Sequence, residues 1–176
     1  MFGIFEGRDE EIATKTPFKG SLPEGTITWD WVDHLDMMDT HPDEHIDANS
    51  KKFRIGLNNF HSRPSAPEFA KHVVEEMSET FSLHGDLRKI TNIAFTGFGK
   101  ESDSYPWHKD SMDVFLMQVI GTVGLKVEGL FDEEVDFKPG DYVWIPRGTH
   151  HQVFPRRSRV SFSFGVEGDP DPSTYF

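Results

Sequence analysis

The chain has 176 residues, enough for one domain with a sizeable core, and its 36% hydrophobic content, carried largely by 16 phenylalanines, supports a folded chain over a disordered one. With 18 basic and 30 acidic residues the net charge is −12, which repels a nucleic-acid backbone. No apolar run reaches the roughly 18 residues of a membrane span, and the acidic N-terminus "MFGIFEGRDEE" is unlike a signal peptide, so a cytoplasmic chain without membrane or nucleic-acid partners is expected.

The first 25 residues mix Gly, Pro, Lys and Glu without periodicity and read as an irregular arm. From Thr28, "TWDWVDHLDMM" spaces Trp31, Leu35 and Met38 at helical intervals, predicting a short helix capped by Thr28. The polar stretch 40–52 reads as an exposed loop, and "FRIGLNNF" (53–60) as a strand. A longer helix is predicted over 65–81. Ser65 and Glu68 have capping-box spacing there, and Phe69, Val73, Met77 and Phe81 form an i, i+4 stripe suited to a core. His84-Gly85-Asp86 then reads as its terminating turn. From 90 to 166, six apolar or alternating runs broken by Gly and Pro predict a small antiparallel barrel or sandwich. One domain is expected: a helical N-terminal part (1–89) with at least one strand, a barrel core (90–166) and a short tail (167–176).

Cysteine is absent, so a metal would be held by His, Asp and Glu. The pattern His-x-Asp occurs at His34/Asp36, His41/Asp43, His45/Asp47, His84/Asp86 and His108/Asp110, and context has to choose among them. Residues i and i+2 of a helix do not share a face, which disfavours His34/Asp36. All four pairs other than His108/Asp110 read as solvated surface charge. Only His108/Asp110 opens into a long apolar strand, "VFLMQVIG", that could hold two ligands on a rigid wall. A second segment, "GDYVWIPRGTHHQVF", turns at Pro146-Arg147-Gly148 and enters a strand with adjacent histidines, of which only one can face a given site. Two imidazoles and one carboxylate on one side of a metal leave open positions, as in non-haem Fe(II) oxygenases.

The segments "YPWHKDSMDVFLMQVIG" and "GDYVWIPRGTHHQV" resemble the two halves of the metal site in the cupin superfamily. More narrowly, they resemble the JmjC-type 2-oxoglutarate- and Fe(II)-dependent oxygenases, including the ribosomal-protein hydroxylases. The second cupin motif, G-x5-P-x-G-x2-H, runs here from Gly140 through Pro146 and Gly148 to His151, with His150 facing away. The resemblance covers roughly residues 90 to 166. It implies a mainly β double-stranded β-helix (cupin or jelly-roll barrel) with N-terminal helices, metal ligands His108, Asp110 and His151, and Fe(II) with 2-oxoglutarate as co-substrate. It further implies hydroxylation, with dioxygen, of a protein side chain or a small molecule.

One expected feature is missing. The JmjC-like branch carries a cation two residues after the glycine that closes the first-motif strand, and here that position is Val123, with Lys126 on the opposite face. Arg159 and Ser161 offer a substitute resembling the Arg-x-Ser motif of other 2-oxoglutarate oxygenases, since a guanidinium grips a carboxylate bidentately. Asn92, Tyr105 and Gln118 are candidate polar contacts, and Trp107 and Trp144 candidate cavity walls. A cupin that uses its metal without 2-oxoglutarate, or a non-catalytic metal-stabilised barrel, is the alternative. The oligomeric state, a homodimer included, is left open.

Overall fold

The computed structural model describes residues 1–83 and 89–167. Among these residues, ten strands form two antiparallel sheets. In chain order the elements are α1 (Asp9–Ala13), β1 (Phe18–Ser21), α2 (Trp31–Asp39), β2 (Ile46–Asn49), β3 (Arg54–Asn58), α3 (Glu68–Leu83), β4 (Lys89–Gly97), β5 (Asp113–Ile120), β6 (Val123–Val127), β7 (Phe131–Phe137), β8 (Asp141–Ile145), β9 (His151–Phe154) and β10 (Arg159–Glu167). The large sheet has the order β1-β8-β5-β10-β4-β3-β2, and the small one β7-β6-β9. No helix among the described residues is long and apolar enough to cross a membrane.

Period-2 alternation makes the large sheet two-faced. Along β10, Val160, Phe162, Phe164 and Val166 are wholly buried in a core shared with Phe115 and Met117 of β5, Trp144 of β8 and the helices. The alternate residues Arg159, Ser161, Ser163 and Gly165 face a cavity between the two sheets. A second apolar cluster, Val114, Leu116, Val123, Leu125, Val127, Phe137, Val143 and Ile145, fills the rest of that interior. The expected stripe of α3 holds, since Phe69, Val73, Met77 and Phe81 are all buried on this sheet.

The N-terminal half departs from expectation in several places. The first 25 residues are no irregular arm: they form α1 and β1, with β1 pairing along β8 from Phe18 opposite Trp144 to Ser21 opposite Asp141. Ile4, Phe5, Ile12, Phe18 and Leu22 are buried in the main core. The carboxylate of Glu76, buried on α3, accepts from the backbone N–H groups of Phe2, Gly3 (3.2 Å) and Ile4 (2.9 Å). The stretch 40–52 contains β2, an edge strand on β3 whose polar residues reflect its exposed position.

Helix α2 is capped by Asp30, not Thr28. Its side chain accepts from the Asp33 N–H at 3.0 Å, while the Asp33 carboxylate accepts from the Asp30 N–H at 3.2 Å. The buried face of α2 is His34 and Met37, and Leu35 is exposed. α3 begins at Glu68, three residues past Ser65, so the box spacing at 65–68 is not used as a cap. His34 and His41 are buried, not solvated, because each has found a partner: His34 bonds to Thr96 Oγ1 at 2.7 Å and His41 to the Asn58 carbonyl at 2.9 Å. His84 and Asp86, with the tail beyond Glu167, lie outside the described residues.

Candidate metal centre

The segment before β5 crosses over to the start of β9. His108 and His151 form an isolated antiparallel bridge, each N–H donating to the other's carbonyl, at 3.1 and 2.8 Å. Directly opposed residues in such a bridge share a face, and the two imidazole rings lie 4.4 Å apart between centres. The turn at Pro146-Arg147-Gly148 is tied to the same place. Gly148, at φ 79°, a conformation open to glycine, donates its N–H to the Asp110 carbonyl at 3.0 Å.

Asp110 completes the group: its carboxylate oxygens stand 3.3 Å from His151 Nε2 and 3.7 Å from His108 Nε2. One donor atom from each of His108, Asp110 and His151 lies within 4.8 Å of the other two. Both imidazoles have a backbone carbonyl at Nδ1, Pro106 O at 2.6 Å for His108 and Thr149 O at 3.1 Å for His151. A carbonyl only accepts, so each Nδ1 carries a proton and each ring turns its Nε2 toward the carboxylate, the atom left to coordinate a metal. Two imidazole Nε2 atoms and a carboxylate gathered this closely form a donor set that suits a divalent metal at about 2.1 Å from each atom. Burial pushes the Asp110 carboxyl up, but its hydrogen bond to His151 and the charges of His151 and His108 outweigh that and hold it below its ordinary value.

His150 points away from this group. Its N–H and Nδ1 both meet the Glu128 carboxylate at 3.1 Å, and its ring stacks on Trp107 on the outer surface. Trp107 is half-exposed and Trp144 lies in the helix-side core, so neither walls the cavity.

Sequence reasoning passed over Arg147 and Asp113. Asp113 is buried at the start of β5, where it accepts from the Arg147 N–H (2.8 Å), the Arg147 guanidinium (3.1 and 3.3 Å) and Lys15 Nζ (2.9 Å). Burial raises the Asp113 carboxyl, and the bonds from Arg147 and Lys15 reverse this to a net lowering. The pair fastens the motif turn to the strand that follows Asp110. Its signal was an arginine in a tight turn of an otherwise apolar segment.

The His108, Asp110 and His151 side chains open on a cavity of about 400 Å³. Met112, Val114, Leu116, Ile145 and Val153 wall it with apolar surface, while Arg54, Tyr105, Arg159 and Ser161 bring polar groups. Val123 is buried beside Leu125 in the interior cluster and offers no charge, and Lys126 lies outside over Trp107. Arg159 is buried, donating to the Ser102 hydroxyl and to the Asp103 carbonyl at 3.2 Å. Ser161 donates to Gln118 Oε1 at 2.5 Å, and Gln118 spends its amide N–H groups on the carbonyls of Ile120 and Gly121 without lining the cavity. The Asn92 amide is likewise engaged, accepting from the His61 N–H at 3.0 Å and meeting the His61 ring. Asn92 lines the cavity while its amide is tied to His61, and Gln118 stands behind it, holding Ser161. Tyr105 lies 5.6 Å from the His108 ring, half-exposed at the cavity.

No protein-family model and no curated protein sequence matches this chain. Solved structures do. YcfD, a ribosomal oxygenase from Escherichia coli in complex with cobalt and 2-oxoglutarate, is 14% identical with a TM-score of 0.60, over 89% of this chain and 49% of that one. Another structure of the Escherichia coli ribosomal oxygenase YcfD matches over the same extents at 13% identity and a TM-score of 0.59. An rmlC-like cupin with a double-stranded β-helix fold from Methanocaldococcus jannaschii is 20% identical over 48% of this chain and 72% of that one, with a TM-score of 0.37. The chain thus spans about half the length of the Escherichia coli oxygenase. At such identities the likeness is one of fold. Together with the antiparallel order of the two sheets around an interior cavity, it gives this chain a double-stranded β-helix fold, shared with that oxygenase.

Proposed function

We propose that this chain is a non-haem Fe(II)- and 2-oxoglutarate-dependent oxygenase that hydroxylates a C–H bond of a protein side chain or small molecule. The observation that carries the reading is the convergence of two imidazole Nε2 atoms and one carboxylate at a cavity, with both Nδ1 protons fixed by backbone carbonyls. The fold it shares with a cobalt- and 2-oxoglutarate-bound oxygenase supports it further.

His108, Asp110 and His151 would hold the metal, and three protein ligands leave positions for small molecules. Bound iron and 2-oxoglutarate supply the oxidising chemistry, in which dioxygen is consumed, 2-oxoglutarate leaves as succinate and carbon dioxide, and a C–H bond is hydroxylated. The protein's part is placement and exclusion. Pro106 and Thr149 set the imidazole tautomers, and the Arg147–Asp113 pair holds the turn that delivers His151. The apolar wall from Met112 to Val153 keeps water from the reacting region. The arginine-bearing part of the cavity, lined by Arg54, Arg159 and Ser161, receives the far carboxylate of the co-substrate.

Anaerobic titration with Fe(II) and then 2-oxoglutarate is expected to raise a visible charge-transfer band. Metal binding without that band would favour a second reading, a metal-binding cupin that does not use 2-oxoglutarate. Val123, apolar and buried where a cation is expected, is the observation on that side.

A further inference from the structure

Arg54 opens β3, and antiparallel pairing sets it opposite Gly97 of β4, the same residue that Arg159 of β10 faces from the other side. Directly opposed residues share a sheet face, so both guanidiniums stand on the cavity side with no side chain between them. The absence of a side chain at position 97 leaves this space to the Arg159 guanidinium and the Ser102 hydroxyl, which a Cβ there would displace.

The two cations are differently occupied. Arg159 is committed to Ser102 and the Asp103 carbonyl, which fastens the segment leading to Tyr105. The half-buried Arg54 lies over the Tyr105 ring, its guanidinium carbon 4.8 Å from the ring centre. No carboxylate among the described residues lies within ion-pair distance of Arg54. Asp103, whose charge it feels, is paired with Lys52 at 2.7 Å. A stacked guanidinium uses its face and keeps its edge N–H fork for a planar anion. Tyr105 also contacts the His108 ring at 5.6 Å, so a single aromatic ring separates the Arg54 charge from the metal ligands.

We propose that Arg54 grips the far carboxylate of a dicarboxylic 2-oxo acid, and that Arg159 is a positioning residue that holds the Tyr105 segment against it. This rests on the co-substrate reading above and deepens it. Arg54 supplies the charge that Val123 does not, from a strand outside the barrel core read in the sequence.

The test is calorimetric titration of the Mn(II)-loaded chain with 2-oxoglutarate and with 2-oxobutyrate, which has the same 2-oxo acid head and lacks the far carboxylate. The wild-type chain is expected to prefer 2-oxoglutarate. Arg54→Met, which keeps an apolar contact on Tyr105, is expected to weaken 2-oxoglutarate by about 10- to 100-fold. Affinity for 2-oxobutyrate and for Mn(II) should stay unchanged, and Arg54→Lys should restore part of the preference. The unchanged monocarboxylate affinity separates a lost carboxylate grip from a damaged fold. A preference that survives in both Arg54 variants overturns the assignment and leaves the co-substrate reading standing. A wild-type chain that binds Mn(II) but neither acid overturns both.

Discussion

The two adjacent histidines of the motif strand have opposite fates, decided by the alternation of a β-strand. His151 is buried against Asp110, whereas His150 is held on the surface by Glu128. His151→Ala is expected to weaken divalent-metal binding by more than about 100-fold, measured by titration with Mn(II) or Co(II), because it removes a ligand. His150→Ala should leave that affinity nearly intact. Similar losses in both variants would contradict this division. The buried pair behind the turn gives a second expectation: Arg147→Met strands Asp113 with Lys15 as its remaining side-chain cation and should cost about 3 kcal/mol in denaturant unfolding. The Asp113 carboxyl is held below its ordinary value, so its contribution is present above the unfolded carboxylate range and is lost as pH falls through the folded value. At this scale the sequence was legible where spacing and strand direction agree, as at His108, Asp110 and His151. It was opaque where a polar group is buried by a partner distant along the chain, as His34 is by Thr96 and Glu76 by the N-terminal backbone.

Among the elements, α2 makes the clearest case. Its buried face centres on His34, whose Nδ1 accepts from the Trp29 indole N–H at 3.4 Å and whose Nε2 meets Thr96 on β4. Burial lowers its pKa from 6.5 to about 4. The unfolded chain takes up this proton near pH 6.5 and the folded chain resists until about 4, so the stabilisation present at neutral pH drains away across that window as pH falls. The loss is roughly 3 kcal/mol, with His41, lowered by burial, acting in the same direction. Chemical denaturation between pH 7 and 4 should show this slope, and His34→Gln should flatten it; an unaltered slope would rule His34 out as its source. Hydrophobic period located α3 and the barrel strands because their burial patterns repeat over many residues. It missed β1 and β2, four-residue edge strands whose register comes from β8 and β3 and not from their own alternation. The cap at Asp30 was readable in the Asp30 and Asp33 spacing, but Thr28 drew the boundary two residues early.

At the scale of the molecule, the candidate metal ligands join segments that the fold brings together from the approach to β5 and the start of β9. An ion bound there would cross-link the two sheets. Saturating Mn(II), at about 100 times its dissociation constant, should stabilise the chain by about 2.7 kcal/mol in thermal unfolding, and His151→Ala should abolish the shift. The large sheet also depends on the first residues of the chain. β1 covers the outer edge of β8, the strand that leads directly into the motif turn, and Glu76 clasps the backbone ahead of it. Excising residues 1–22 would bare a row of unpaired β8 amides and carbonyls and withdraw the Lys15 ammonium from Asp113. Such a shortened chain should self-associate through that raw border, with light scattering rising alongside a weakened hold on metal.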